Sequence, residues 1–279
     1  MNKVSDLYAA NQTAMTAIAK TTVAANTDNT ASHLPEVSIT EFRGVRNLHL
    51  SSEAIQGAMR LAMPDQIELE YVQQMMMWML FKAAPQHIVQ LGLGAASLTK
   101  FCYRQFVQAR VTAIELNPHV IQACHRDFKL PANDERLQVL QMDALAYVCD
   151  SANHGQADVL QIDLYDAAAE APAVGNKAFY QACANCLNED GMLTVNLFGS
   201  PETYEASCTA NIEALEAAFD AVVWLPLVHD ANTVAIAFKE APAIDFDVLY
   251  QRANEIRLST KLPAAKWVNG LKEWMIDHV

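Results

Sequence analysis

Apolar and polar positions repeat with a period of two near the start of this chain and with helical or buried-strand patterns further on. The changes of pattern mark out its elements. Val37-Ser38-Ile39-Thr40-Glu41-Phe42 alternates, and Val45-Arg46-Asn47-Leu48-His49-Leu50 follows directly after Arg43-Gly44, which predicts a small antiparallel sheet. Ala54 to Leu61 is a candidate for its third strand. Glu68 to Lys82, with Met75-Met76-Met77-Trp78-Met79-Leu80-Phe81 inside it, reads as a buried helix whose methionines are core filler.

From His87 the pattern becomes strand, turn, helix, strand. Ile88-Val89-Gln90-Leu91 is apolar, Gly92-Leu93-Gly94 turns, Ala95 to Val107 is helical, and Val111-Thr112-Ala113-Ile114 is a second apolar run closed by Glu115. Asn117-Pro118 then opens a helix running to about Phe128. Leu137–Gln141 and Ala157–Ile162 are further strands, the second ending in Asp163-Leu164-Tyr165-Asp166. A loop from Ala167 to Asn176 precedes helix Lys177–Leu187, strand Gly191–Phe198 and helix Thr203–Phe219. Ala221–Leu225 and Thr233–Phe238 read as a closing antiparallel pair, and helices near Phe246–Leu258 and Ala264–Asp277 end the chain. The fold class is α/β: a seven-stranded, mostly parallel, Rossmann-like sheet with helices on both faces, preceded by the small β segment. The expected divisions are a flexible tail over 1–34, the β segment over 35–66, the main α/β domain over 67–240 and terminal helices over 241–279.

Composition narrows the partners. With 19 Lys and Arg against 32 Asp and Glu, the net charge is −13, which argues against a nucleic acid or an anionic membrane as partner and favours small cations. Six scattered cysteines without a disulfide framework suggest a reducing compartment, and with no secretory or membrane-spanning run the expected location is cytoplasmic. Cys183 and Cys186 have CxxC spacing, but no second pair completes a zinc site, and they read as small residues on a helix. No metal is expected.

The candidate chemistry lies at the strand ends, where open α/β sheets bind ligands. A dinucleotide site would place a third glycine at Ser97 for close packing and pyrophosphate binding; without it, the Gly92 and Gly94 turn suits a phosphate-free nucleoside of the S-adenosylmethionine type. Glu115 is placed to accept from both ribose hydroxyls, or else is merely solvated. Asp143 is placed either to accept from an adenine amino group or to cap the helix Ala144–Val148. Asp163 and Asp166, three residues apart, are the strongest candidates for a base and for holding a cationic amine, with a plain capping role as the bland alternative.

Together, Gln56 in the front segment, Leu91-Gly92-Leu93-Gly94, Glu115, Asp143 and Asp163-Leu164-Tyr165-Asp166 resemble the spermidine synthase (polyamine aminopropyltransferase) family, on a class I methyltransferase-like fold. The resemblance covers about residues 36 to 240. It implies aminopropyl transfer from decarboxylated S-adenosylmethionine to a diamine such as putrescine, in a homodimer. It implies that Glu115 holds the ribose, Asp143 the adenine amino group, and Gly92 and Gly94 the turn beneath the nucleoside, with Gln56 reaching toward it. Asp163 becomes the base, and Tyr71, Tyr165 and Asp166 join it on the amine. The chain departs from the family pattern at Ala95, where an aspartate normally meets the aminopropyl amine, at Val72-Gln73 after Tyr71, and at Ala167 in place of a proline. Two other functions compete: an S-adenosylmethionine-dependent methyltransferase, and a non-catalytic relative that keeps nucleoside binding.

Overall fold

The Arg43-Gly44 pair takes positive φ at both positions (48° and 77°), the geometry a two-residue hairpin turn needs to match strand twist. It joins β1 (Val37–Phe42) to β2 (Val45–Leu50), and β3 (Ile55–Arg60) completes an antiparallel sheet in the order β1-β2-β3. The computed structural model describes residues 34–164, 176–198, 204–228 and 232–278. All but the last position of the expected 1–34 tail lies outside the described residues, as do Tyr165, Asp166 and the loop positions 167–175.

The main sheet has seven strands: β4 (His87–Leu91), β5 (Arg110–Glu115), β6 (Leu137–Gln141), β7 (Ala157–Ile162), β8 (Leu187–Phe198), β9 (Ala221–Trp224) and β10 (Asn232–Phe238). Their order is β6-β5-β4-β7-β8-β10-β9, with β10 antiparallel to both neighbours and the other pairs parallel. The helices are α1 (Glu70–Gln74), α2 (Ser97–Gln105), α3 (Pro118–Asp127), α4 (Ala144–Cys149), α5 (Lys177–Cys186), α6 (Tyr204–Glu216), α7 (Phe246–Thr260) and α8 (Ala264–His278). Successive strand residues face opposite sides. Ile88 and Val159 pack with α2, α3, α7 and α8, while Val89 and Leu160 pack with α4, α5 and α6. The expected mostly parallel α/β sheet with its antiparallel front segment is therefore the fold.

Three differences from the expected boundaries exceed a shift of an element's end by a few residues or alter the glycine turn and the sheet beside it. The helix expected over Glu68–Lys82 is interrupted after α1, and Met77–Leu80 form a separate 3₁₀ turn. The Met75 carbonyl accepts from Gln161 Nε2 at 3.0 Å and Thr194 Oγ1 at 3.2 Å, so it is held by the sheet rather than by a continuing helix. The helix expected from Ala95 starts at Ser97, because Ala96 is left-handed (φ 56°) and belongs to the glycine turn. Finally, β8 begins at Leu187 rather than Gly191, with an irregular register where it meets the start of β7.

No helix among the described residues is long and apolar enough to cross a membrane.

Candidate active site

Strand β4 lies between β5 and β7, so the chain leaves it toward opposite sides, and its carboxyl end is the switch point at which open α/β sheets bind ligands. Gly92 follows β4 with φ 93°, its N–H donating to the Ile114 carbonyl at 2.8 Å. A Cβ there would overlap the Asp163 carbonyl oxygen, so only glycine lets β4 pass so close to the end of β7. Gly94 (φ 49°) is crowded in the same way by the front sheet, since a Cβ would lie 2.9 Å from the Gln56 carbonyl oxygen.

Strand β3 lies directly across this turn. A Cβ on Gly57 would stand 2.5 Å from the Ala95 nitrogen and 2.6 Å from its Cβ, and Ser97 Oγ donates to the Ala58 carbonyl at 3.0 Å. Ser97, which occupies the place of a dinucleotide-type third glycine, thus anchors the front sheet. Ala95 is buried against Gly57, so its position carries no charge toward a ligand.

Glu115 ends β5 with its carboxylate turned to the same turn: Oε2 accepts from Leu93 N at 3.1 Å and Oε1 from Asn117 N at 2.8 Å. Burial pushes its carboxyl above the ordinary range, and the N–H groups of Asn117, Leu93 and Leu116 only partly offset this. A carboxylate has about four lone-pair directions, so these three N–H groups still leave acceptor capacity for a diol hydroxyl. Asp143 caps α4, accepting from Ala146 N at 2.9 Å, and is exposed. Capping was one of its two expected roles, and the bond engages only Oδ1. Tyr71 lies on α1, half-buried against the main core, and Gln56 is half-buried on β3.

Asp163, half-buried just past β7, brings in residues that the strand pattern did not single out. Gln161 pairs with Thr194 and Ile162 with Val195 across β7 and β8, and one further step sets Asp163 beside Asn196. Asn196 Nδ2 donates to Asp163 Oδ1 at 3.0 Å, and Asn232 Nδ2 donates to Asn196 Oδ1 at 3.0 Å. The available signal was an asparagine inside the apolar run Val195-Asn196-Leu197, since a buried amide needs partners. Among the described residues, no group of three or more His, Cys, Asp or Glu is arranged to hold a metal ion.

A doubly wound sheet with a two-glycine turn at its switch point and an acid closing the next strand defines the class I methyltransferase-like fold. The spermine/spermidine synthase domain matches residues 71–247, and the chain belongs to that family and is a transferase. It is 32% identical to the polyamine aminopropyltransferase of Neisseria meningitidis, covering 86% of this chain and 90% of the relative. A probable spermidine synthase from Corynebacterium glutamicum shares its fold with a TM-score of 0.67 at 16% identity, covering 88% of this chain and 95% of that one. Human methyltransferase-like protein 13, solved in complex with SAH, aligns with a TM-score of 0.62 at 19% identity, covering 70% of this chain and 93% of that one.

Proposed function

We propose that the protein transfers an aminopropyl group from decarboxylated S-adenosylmethionine to a diamine such as putrescine. The observation that carries this reading is the convergence of the Gly92 turn, Glu115 and Asp163 at one switch point, in a chain of the spermine/spermidine synthase family. In this reading Glu115 accepts from the ribose hydroxyls and Asp143 uses its remaining acceptor capacity for the adenine amino group. Gln56 borders the nucleoside from the front sheet, and the amine contacts are assigned to Tyr71, Tyr165 and Asp166, as the family resemblance implies. The co-substrate supplies a methylene made electrophilic by the adjacent sulfonium.

An ammonium has no lone pair, so the acceptor amine must lose a proton before or during attack. Asp163 takes that proton. The amine lone pair forms the new N–C bond as the C–S pair returns to sulfur, and neutral methylthioadenosine leaves. Holding the two substrates in line is the larger task, because orientation alone is worth up to about 7–11 kcal/mol of barrier in favourable cases.

The test is turnover with decarboxylated S-adenosylmethionine and putrescine, with methylthioadenosine titrated by calorimetry as the binding control. Asp163→Asn is expected to lower kcat by about 100-fold or more while nucleoside affinity is kept. Normal turnover in that variant would remove Asp163 from the base role. Ala95 favours a second reading, methyl transfer, because no carboxylate at that position would repel the methionine carboxylate of the intact cofactor. Titrating both forms separates the two: preference for the decarboxylated form supports aminopropyl transfer, and preference for intact S-adenosylmethionine supports methyl transfer.

A further inference from the structure

We propose that Asn232 and Asn196 form a one-way amide relay that holds the Asp163 carboxylate in its working orientation. The relay rests on the reading of Asp163 as the base.

The direction of the relay follows from what each group can donate. An ionised carboxylate only accepts, so Asn196 must present its NH₂ to Asp163. Rotated half a turn about its last torsion, the same amide would present oxygen to oxygen. The Asp163 carboxylate favours the first of these states, and Asn232 adds to that preference from the other end of the amide. Its Nδ2 donates to Asn196 Oδ1 at 3.0 Å, so the reversed state would set two donors against each other at one end and two acceptors at the other.

Asn232 is itself fixed at the start of β10. Its N–H donates to the Val228 carbonyl at 3.1 Å, its carbonyl accepts from Val228 N at 2.9 Å, and it pairs with Phe198 across β8. Both amides are buried, Asn196 at 1% exposure and Asn232 at 9%, so water is a poor substitute for a lost partner. Asn196 and Asn232 are therefore positioning residues: neither is assigned a contact with substrate.

Four variants test the relay, each measured for kcat and KM in aminopropyl transfer and for methylthioadenosine affinity by calorimetry. Asn196→Ala is expected to lower kcat about 10-fold with the KM of the nucleoside co-substrate unchanged, and Asn232→Ala about 3-fold. The double variant should be no slower than Asn196→Ala alone, because Asn232 acts only through Asn196. Asn232→Asp, nearly the same shape but able only to accept when ionised, should draw the Asn196 NH₂ away from Asp163 and slow turnover more than Asn232→Ala does. If Asn196→Ala does not fold, Asn196→Ser carries the same expectation.

Additive single effects would overturn the relay, as would loss of nucleoside affinity in the single variants, which marks a structural role. An unchanged kcat in Asn196→Ala beside an inactive Asp163→Asn would overturn it while leaving the base in place. A fully active Asp163→Asn instead removes the base reading on which it stands.

Discussion

Glu115 accepts from backbone donors in the fold and, in the proposed reading, from the ribose hydroxyls, and both ask for the same charge. Its oxygens already accept from Leu93 and Asn117, and burial nevertheless leaves its carboxyl above the ordinary range. Protonation would turn one acceptor oxygen into a donor, so nucleoside affinity should fall as pH drops through that raised value. Calorimetry with methylthioadenosine across the acid range checks this: the decline should begin at higher pH than an exposed glutamate would allow, and a flat profile would separate Glu115 from the ribose. Glu115→Gln should cost about 1.5–3 kcal/mol of affinity, the usual size of a hydrogen bond to a charged group. Glu115, Gly92 and Gly94 were legible because each sits at a fixed step from an apolar run. Ala96 was not, since nothing in an alanine announces a φ of 56°. Asn196 was passed over for the opposite reason: its strand is so apolar that the period marks it only as core, and its partner Asn232 is 36 residues away. For Asp143 the sequence offered two roles, and the cap is present while the nucleoside contact belongs to the proposed reading.

Helix α1 and the 3₁₀ turn after it show how a sheet can override a helical run. Seven apolar residues from Met75 to Phe81 read as one helix, but Gln90, Gln161 and Thr194 stand side by side across β4, β7 and β8. Gln90 Nε2 donates to Gln161 Oε1 at 2.9 Å, and Gln161 and Thr194 then take the Met75 carbonyl. Such pairing spans distant parts of the chain, so local periodicity cannot reveal it. The opposite end of the same strands carries a titratable anchor. His87 at the start of β4 has Nε2 against Thr112 Oγ1 at 2.9 Å and Nδ1 near the Gln156 carbonyl at 3.2 Å. Desolvation, then the Arg110 cation beside it, lowers its pKa to about 4 from 6.5. The folded state therefore binds this proton less readily than the unfolded chain, and the stability it confers is complete above pH 6.5 and lost as pH falls toward 4. The shift corresponds to about 3 kcal/mol. Urea unfolding of wild type and His87→Gln from pH 7.5 to 4 should show a steeper acid loss in wild type; parallel curves would mean His87 is not the proton acceptor. Asp158 does not confuse that window. Four donors, Gln86 N, His87 N, Asn188 Nδ2 and Lys82 Nζ, more than offset its burial and hold its carboxyl below the ordinary range, so its own loss comes at lower pH.

Strand–helix alternation gave away the doubly wound sheet, since each parallel pair needs a crossover, and the closing antiparallel pair followed from the short link between its strands. The seating of the front sheet on the glycine turn was beyond such reasoning. It depends on Gly57 meeting Ala95 and on Ser97 reaching the Ala58 carbonyl, contacts between segments some 40 residues apart that no period encodes. The net charge of −13 belongs to the chain as a whole and has its own consequence for the proposed reaction. A diamine is dicationic near neutral pH, and a strongly negative protein raises the local concentration of such a ligand before any specific contact forms. That attraction acts over the Debye length, roughly 10 Å at 0.1 M salt, and fades as salt is added. The kcat/KM for the diamine should accordingly fall about 3- to 10-fold as ionic strength rises from about 0.02 to 0.5 M, with kcat nearly constant. Methylthioadenosine is neutral and serves as the control, since its affinity should barely change across the same series. A diamine kcat/KM that ignores salt would mean that the acid surplus sits away from the approach to the site and that short-range contacts alone select the amine. A parallel loss of methylthioadenosine affinity would instead mean that salt perturbs the fold around Glu115 and Gly92, and the long-range argument would fail on that ground.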